Sequence, residues 1–197
     1  SWNGLNITGL TNDGQIFAVW WAPGLEKWQV TNLSQSTGAP TLSGGLTVYL
    51  TPWGGINLAG LDTQGRISVT WWVPGFVGEW RTNNLTAETG GPLLSADSLS
   101  SYVTSWGGLN IAGVGPDNRI VVYWWVPGFQ LWAITSITDA IPNARQPVGR
   151  LTGVTGPGAQ GTINILGATS DGDVLRTWWA PGGDWRQDLV SDVAVPI

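Results

Sequence analysis

Two adjacent tryptophans, followed one residue later by Pro-Gly, occur four times in this chain of 197 residues. The pairs are Trp20-Trp21, Trp71-Trp72, Trp124-Trp125 and Trp178-Trp179, at spacings of 51, 53 and 54 residues. Asn6, Asn57, Asn110 and Asn164 keep those spacings, as do Pro23-Gly24, Pro74-Gly75, Pro127-Gly128 and Pro181-Gly182. A later tryptophan recurs at Trp28, Trp80, Trp132 and Trp185. An earlier one recurs at Trp2, Trp53 and Trp106, with Gln160 at the fourth place. These positions hold all 15 tryptophans. A period near 50 residues is that of a solenoid, a propeller or an array. It divides one domain, 1–197, into repeats of about 1–44, 45–97, 98–148 and 149–197.

Within the second repeat, four short segments are rich in Val, Ile, Thr and aromatics, at about 46–52, 56–61, 66–73 and 79–85. They read as strands. The turns between the second and third strands are Asn12-Asp13-Gly14, Thr63-Gln64-Gly65, Asp117-Asn118 and Asp171-Gly172. Gly or Asn stands there because tight hairpins need a positive φ. No segment carries a helical period. Four antiparallel strands per repeat without a helix predict an all-β fold, a β-propeller of four four-stranded blades.

That architecture gives the doubled tryptophans a reason. Neighbouring strand residues point to opposite faces, and a blade is covered on both faces by its neighbours. Both rings are expected to pack between blades, each contributing about 2–3 kcal/mol, with a partner for each indole N–H. Residues 33–40, 85–92 and 189–196 are equivalent spans. By that count the first blade lacks one strand, fifteen being present instead of sixteen. Either the ring closes with one three-stranded blade, or another segment, from a second chain (a homo-oligomer) or a second fragment, supplies the missing strand.

Composition narrows the function. Charged residues are 11% of the chain, against about 25% in an average globular protein. The net charge is -5 and the single lysine is Lys27, so the basic stripe that nucleic acid requires is missing. There is no Cys and no His, which removes thiolate chemistry and the commonest general base. No apolar run approaches the roughly 18 residues of a membrane span. A Trp-rich, charge-poor chain that opens on Ser1 and lacks Met reads as secreted or cell-surface, and as a processed product or fragment. Of 13 carboxylates, Asp171 and Asp173 lie close together, but in a turn whose copies carry Asp13/Gln15 and Gln64/Arg66. Neither a glycosidase pair nor a full calcium ligand set follows from them. No cofactor, no metal and no enzymatic activity are expected. Asn6, Asn32 and Asn84 fit the glycosylation pattern; Asn6 lies in an expected inner strand, which leaves Asn32 and Asn84 as the candidates.

The unit LTVYLTPWGGINLAGLDTQGRISVTWWVPGFVGEW resembles blades of the propeller lectins, both the fungal fruit-body fucose lectins and the related bacterial seven-bladed lectins. The shared pattern is a strand ending in Ser-Trp-Gly or a variant, a second strand, an Asp-Gly turn, a Trp-bearing strand and a closing Trp. It covers essentially the whole chain. The resemblance implies five to seven blades with fucose or related sugars bound between adjacent blades. The chain departs from it in having four units. Arg66 and Arg119 match each other, but their equivalents are Gln15 and Asp173.

Strand connectivity places the Trp-Gly-Gly turns and the Pro-Gly turns on one face of the disc. That face collects Trp2, Trp53, Trp106, Phe76 and Phe129, with Glu79 and Asp184 near them. Aromatic rings there would pack on the C–H face of a sugar while carboxylates take its hydroxyls. The expected partner is a glycan, held at repeated weak sites. The alternatives are rings that merely plug the blade ends, and a noncatalytic protein-interaction propeller. The strand asparagines are expected to satisfy inter-blade hydrogen bonds.

Overall fold

The computed structural model describes residues 4–75, 79–156 and 161–193. Fifteen strands among them form four antiparallel sheets. Blade 1 has three, β1 (Leu5–Leu10), β2 (Ile16–Trp21) and β3 (Gln29–Asn32). Blade 2 has β4 (Thr47–Leu50), β5 (Ile56–Leu61), β6 (Ile67–Trp72) and β7 (Arg81–Asn84). Blade 3 has β8 (Ser100–Val103), β9 (Leu109–Val114), β10 (Ile120–Trp125) and β11 (Ala133–Ser136). Blade 4 has β12 (Val148–Thr155), β13 (Ile163–Ala168), β14 (Val174–Trp179) and β15 (Arg186–Leu189). In every blade the strand asparagine faces the first tryptophan of the pair: Asn6 opposite Trp20, Asn57 opposite Trp71, Asn110 opposite Trp124 and Asn164 opposite Trp178. The fold is an arc of four propeller blades.

The alternation of β10 shows how a blade is shared between two cores. Val121, Tyr123 and Trp125 pack with Ala59, Leu61, Ile67 and Val69 of blade 2. Ile120, Val122 and Trp124 pack with Ile163, Ile165 and Leu151 of blade 4. The same division joins blades 1 and 2, where Ile16 and Ala18 meet Leu58. Each fully buried aliphatic side chain contributes about 1.5–3 kcal/mol here. The inner strands are also sewn together by hydroxyls. Ser101 N–H donates to Thr47 Oγ1 (3.1 Å), and Gly153 N–H donates to Ser100 Oγ (2.8 Å).

Short helices follow the outer strands, contrary to the helix-free expectation: α1 (Leu33–Thr37), α2 (Leu85–Thr89) and α3 (Val190–Val193). At five residues or fewer they are too short to carry a 3.6-residue period. Their signal is the cap instead. Asn32 Oδ1 accepts from Gln35 N–H and Asn84 Oδ1 from Ala87 N–H, both at 2.9 Å, with left-handed Gly38 and Gly90 closing the ends. Both potential glycosylation asparagines are thus helix caps. The helices in turn anchor the strands: Ser34 Oγ accepts from Ile16 N–H (2.9 Å) and Thr86 Oγ1 from Ile67 N–H (2.9 Å).

The linker to the next blade docks on the hairpin glycine. Leu42 N–H donates to the Gly14 carbonyl and Leu94 N–H to the Gly65 carbonyl, each at 2.9 Å. Gly14 and Gly65 have φ of 78° and 80°. A side chain there would also strike the carbonyl oxygen of Leu42 or Leu94. Turn geometry and linker docking therefore both demand glycine.

The two ends of the arc differ. On blade 1, Leu5, Ile7 and Val30 are 58%, 63% and 66% exposed, whereas Ile56 and Leu58, the blade 2 equivalents of Leu5 and Ile7, are 6% and 0%. Blade 1 thus leaves uncovered a face that its sister blades bury. The outer face of blade 4 is partly polar. Arg176, whose equivalents are Ala18, Val69 and Val122, binds Asp188 through Nε (2.9 Å) and Nη2 (2.7 Å). That guanidinium holds the Asp188 carboxyl below the usual carboxylate range.

Candidate functional site at the blade junctions

The Trp-Gly-Gly loop is built alike in blades 2 and 3. Gly55 N–H donates to Thr51 Oγ1 (2.7 Å), and Gly108 N–H donates to Thr104 Oγ1 (2.8 Å). Thr51 N–H and Thr104 N–H close the loops onto the carbonyls of Gly55 (2.9 Å) and Gly108 (2.8 Å). A Cβ at Gly55 or Gly108 would crowd the loop's own threonine, so the missing side chains make room for the loop itself. Each loop presents its tryptophan at the blade end. Trp53 meets Trp125 edge-on, with centroids 5.7 Å apart and planes at 75°. Trp106 meets Trp179 in the same way, at 5.8 Å and 71°.

Each contact crosses a blade junction and walls a cavity. Between blades 2 and 3 a cavity of about 330 Å³ is lined by Thr51, Trp53, Asn57, Val69, Trp71, Asn83, Glu88, Leu109, Trp125, Gln130 and Trp132, among others. Between blades 3 and 4 a cavity of about 270 Å³ is lined by Tyr102, Thr104, Trp106, Asn110, Val122, Trp124, Thr135, Ile137, Ile163, Trp179 and Trp185, among others. The linings correspond repeat for repeat. In each, four tryptophans surround a strand asparagine and a loop threonine. At the first junction Asn6, Trp20, Thr31, Trp72 and Trp80 occupy the equivalent places in the repeat.

One hydrogen bond recurs in every blade. The first indole of the pair donates to the third residue of the outer strand: Trp20 to Thr31 Oγ1 (3.2 Å), Trp71 to Asn83 Oδ1 (2.7 Å), Trp124 to Thr135 Oγ1 (3.0 Å) and Trp178 to Asp188 Oδ2 (3.0 Å). This bond fixes the ring that floors each cavity. The doubled tryptophans are only partly buried, where full packing between blades was expected. Four of them, Trp71, Trp124, Trp125 and Trp179, line the two cavities.

The expected site residues divide as follows. Trp53 and Trp106 line cavities and are 44% exposed. Phe129 lies against Trp124 at 5.5 Å, and its carbonyl accepts from Trp125 Nε1 (2.7 Å). Glu79 is exposed, 3.8 Å from Arg81, and Asp184 is exposed in the blade 4 hairpin; neither lines a cavity. Trp2, Phe76 and Gln160 lie outside the described residues. Sequence reasoning did not assign Trp71, Trp124, Trp125, Trp179, Asn83 or Glu88 to a site. The closing tryptophans Trp132 and Trp185 carried a signal, fourfold recurrence, that was given no role. The strand asparagines are less involved in inter-blade bonding than expected. Asn110 Nδ2 donates within its own blade, to the Gly108 carbonyl (3.1 Å), and its side chain reaches the cavity.

Arg66 and Arg119 are bound away from the cavities. Arg66 Nε lies 2.7 Å from Asp62, and Arg119 bridges Asp117 (2.9 Å) and Asp139 (2.8 Å). Among the described residues no cluster of side chains could hold a metal ion, and no helix is long and apolar enough to cross a membrane.

No family model matches the chain, and no curated protein matches it in sequence. Solved structures do. AofleA from Arthrobotrys oligospora superposes with a TM-score of 0.72 at 17% identity, over 94% of this chain and 52% of its own. The BP39L lectin from Burkholderia pseudomallei gives 0.67 at 18% identity, over 93% of this chain and 51% of its own. The Aleuria aurantia lectin, a fungal lectin with a six-bladed β-propeller fold and a novel fucose recognition mode, gives 0.60 at 15%, over 95% and 56%. The fold is that of the propeller lectins. The chain spans about half the length of the structures it matches.

Proposed function

We propose that the chain is a noncatalytic, secreted or cell-surface lectin that binds neutral glycans in the cavities between its blades. The observation that carries this reading is the repetition, at two successive junctions, of a cavity with four tryptophans around an asparagine. A sugar offers C–H faces to indole rings and hydroxyls to amides and carboxylates, which is the chemistry lining these walls. The lectin fold of the structural neighbours, one of which recognises fucose, supports the same class of ligand. Trp53 and Trp106 serve as platforms, and Asn57, Asn110, Asn83 and Glu88 take hydroxyls. Trp2, Phe76, Phe129, Glu79 and Asp184 are assigned to the rim of the same blade ends. Repeated weak sites on one rigid arc make the binding multivalent.

The uncovered face of blade 1 extends the proposal. A second copy of the chain seats its blade 4 against it, as each blade seats on the next within the arc. Leu5, Ile7 and Val30 then meet Val154 and Val174, which are 46% and 47% exposed. The Arg176–Asp188 pair neutralises itself. The contact creates one more junction, with Asn164 and Trp178 from one copy and Trp21 and Trp28 from the other.

Titration of the intrinsic tryptophan fluorescence with a panel of neutral mono- and disaccharides, alongside a glycan array, tests the reading. Competable, saturable quenching is expected. A fluorescence spectrum that ignores every sugar, with an empty array, would overturn it.

A further inference from the structure

The blade 3–4 cavity differs from the blade 2–3 cavity in two ways that bear on what it accepts. The first begins in a sequence length. From Pro-Gly to the closing tryptophan, blade 1 has Pro23 to Trp28 and blade 3 has Pro127 to Trp132, six residues each; blade 4 has Pro181 to Trp185, five. The longer hairpin brings a carbonyl onto the second indole of its pair. Trp21 Nε1 donates to the Leu25 carbonyl (2.9 Å) and Trp125 Nε1 to the Phe129 carbonyl (2.7 Å). The turn bond to the carbonyl before the proline is common to all three hairpins, Leu25 N–H to Ala22, Phe129 N–H to Val126 and Gly183 N–H to Ala180, each at 3.0 Å, so the shorter blade 4 hairpin differs only beyond Gly183. No described residue accepts from Trp179 Nε1. Trp179 forms part of the cavity wall, and its N–H is left without a partner among the described residues.

The second difference is in the acceptors. The blade 2–3 cavity has Asn83 and Glu88, joined by a 2.5 Å hydrogen bond from Asn83 Nδ2 to Glu88 Oε1. The carboxylate takes hydroxyl protons readily. The blade 3–4 cavity has no Asp, Glu, Lys or Arg in its lining. Thr135 replaces Asn83, and its oxygen already accepts from Trp124. The remaining walls are largely apolar, with Val122, Ile137 and Ile163. Besides the hydroxyls of Tyr102 and Thr104, the amide of Asn110 is the remaining polar group: it donates through Nδ2, while its Oδ1 receives no hydrogen bond from a described residue.

A sugar carrying only hydroxyls leaves donors unpaired in such a cavity, at a cost of about 1–3 kcal/mol for each buried one. A secondary amide with a methyl group suits it. The carbonyl accepts from Trp179, the N–H donates to Asn110 Oδ1, and the methyl meets the aliphatic wall. We propose that the blade 3–4 junction is selective for an acetamido sugar, while the blade 2–3 junction takes sugars bearing hydroxyls alone. This rests on the glycan-binding reading above.

The test uses the full chain labelled with ¹⁵N at the tryptophan indoles. N-acetylglucosamine and N-acetylgalactosamine are titrated beside glucose, galactose and fucose, with calorimetry in parallel. Acetamido sugars are expected to move the Trp179 indole signal and to bind at least tenfold more tightly at this junction than the parent hexoses. Trp179→Phe keeps an aromatic ring and deletes the donor. It should remove most of that preference and leave hexose binding at the blade 2–3 junction unchanged. Inserting one residue after Gly182, which restores the longer hairpin and recaptures the N–H, should do the same. Equal binding of hexoses and acetamido sugars at Trp179, or an unchanged preference in both variants, overturns the proposal. Sugar-dependent shifts of Trp53 and Trp71 in that case leave the lectin reading standing; no shift with any sugar overturns both.

Discussion

Trp106 belongs to blade 3 and Trp179 to blade 4, yet their rings meet edge-on at 5.8 Å. The contact joins two functions in one pair of side chains, since both rings wall the same cavity and the same contact helps hold two blades together. Trp106→Ala is therefore expected to abolish sugar-dependent quenching from the blade 3–4 junction. It should also lower stability by about 0.5–1.5 kcal/mol beyond the lost burial. Calorimetric titration and urea unfolding of the same variant measure the two effects separately.

The recurring indole hydrogen bond predicts a conservative loss. Thr135→Val preserves shape and removes the acceptor of the Trp124 N–H. A destabilisation of about 1 kcal/mol is expected, read as a lower urea midpoint. Trp124 should gain mobility, measured as a lower order parameter of its indole N–H.

Two hairpin glycines make a matched pair. Gly65 and Gly172 both have positive φ, 80° and 89°. A Cβ at Gly65 runs into the Leu94 carbonyl, whereas a Cβ at Gly172 meets nothing within 4 Å. Gly172→Ala should cost about 1–2 kcal/mol for its left-handed backbone alone. Gly65→Ala should cost clearly more, because the linker must also move. Thermal unfolding of the two variants side by side gives the comparison, and equal losses would contradict the docking role of the linker.

Acid should act through Asp62. Burial alone would raise its pKa. Hydrogen bonds from the backbone N–H groups of Arg66 and Gln64 and from the Arg66 guanidinium outweigh that, and hold the carboxyl below its usual range. A folded pKa below the unfolded one means a stabilising contribution that is fully present above about pH 4. It fades as pH falls through the lowered folded value. Asp62→Asn should be less stable than the native chain at pH 6, and the gap should narrow toward pH 2.5. Urea midpoints across that range give the measurement.

The exposed face of blade 1 predicts self-association. Ile7→Lys places a charge on a face whose counterpart in blade 2 is fully buried. Sedimentation should find the native chain in a concentration-dependent equilibrium, and the variant shifted to the monomer. A native chain that stays monomeric across the micromolar range would rule out the proposed contact between copies.

The strands were legible because each is written three or four times. Segment 56–61, expected as the second strand of the second repeat, coincides with β5. Repetition separates a constraint shared by every blade from the accidents of one. The one-turn helices left no such trace, since an Asn cap and a closing Gly resemble a turn. The cavities were less legible still. Trp53 and Trp125 lie in different repeats, and nothing in either repeat says that the second ring of one pair faces the Trp-Gly-Gly loop of the preceding blade. The doubled tryptophans were read as packing because two-sided coverage is what a blade requires. The structure uses the same two-sidedness to line the gaps between blades.

The Pro-Gly hairpins vary by a residue from blade to blade while the strand registers beneath them stay constant. An insertion or deletion at such a loop can release or satisfy one indole proton without disturbing the ladder below. Ligand preference in this architecture can therefore change in single-codon steps, one junction at a time, with the neighbouring junctions left as they were.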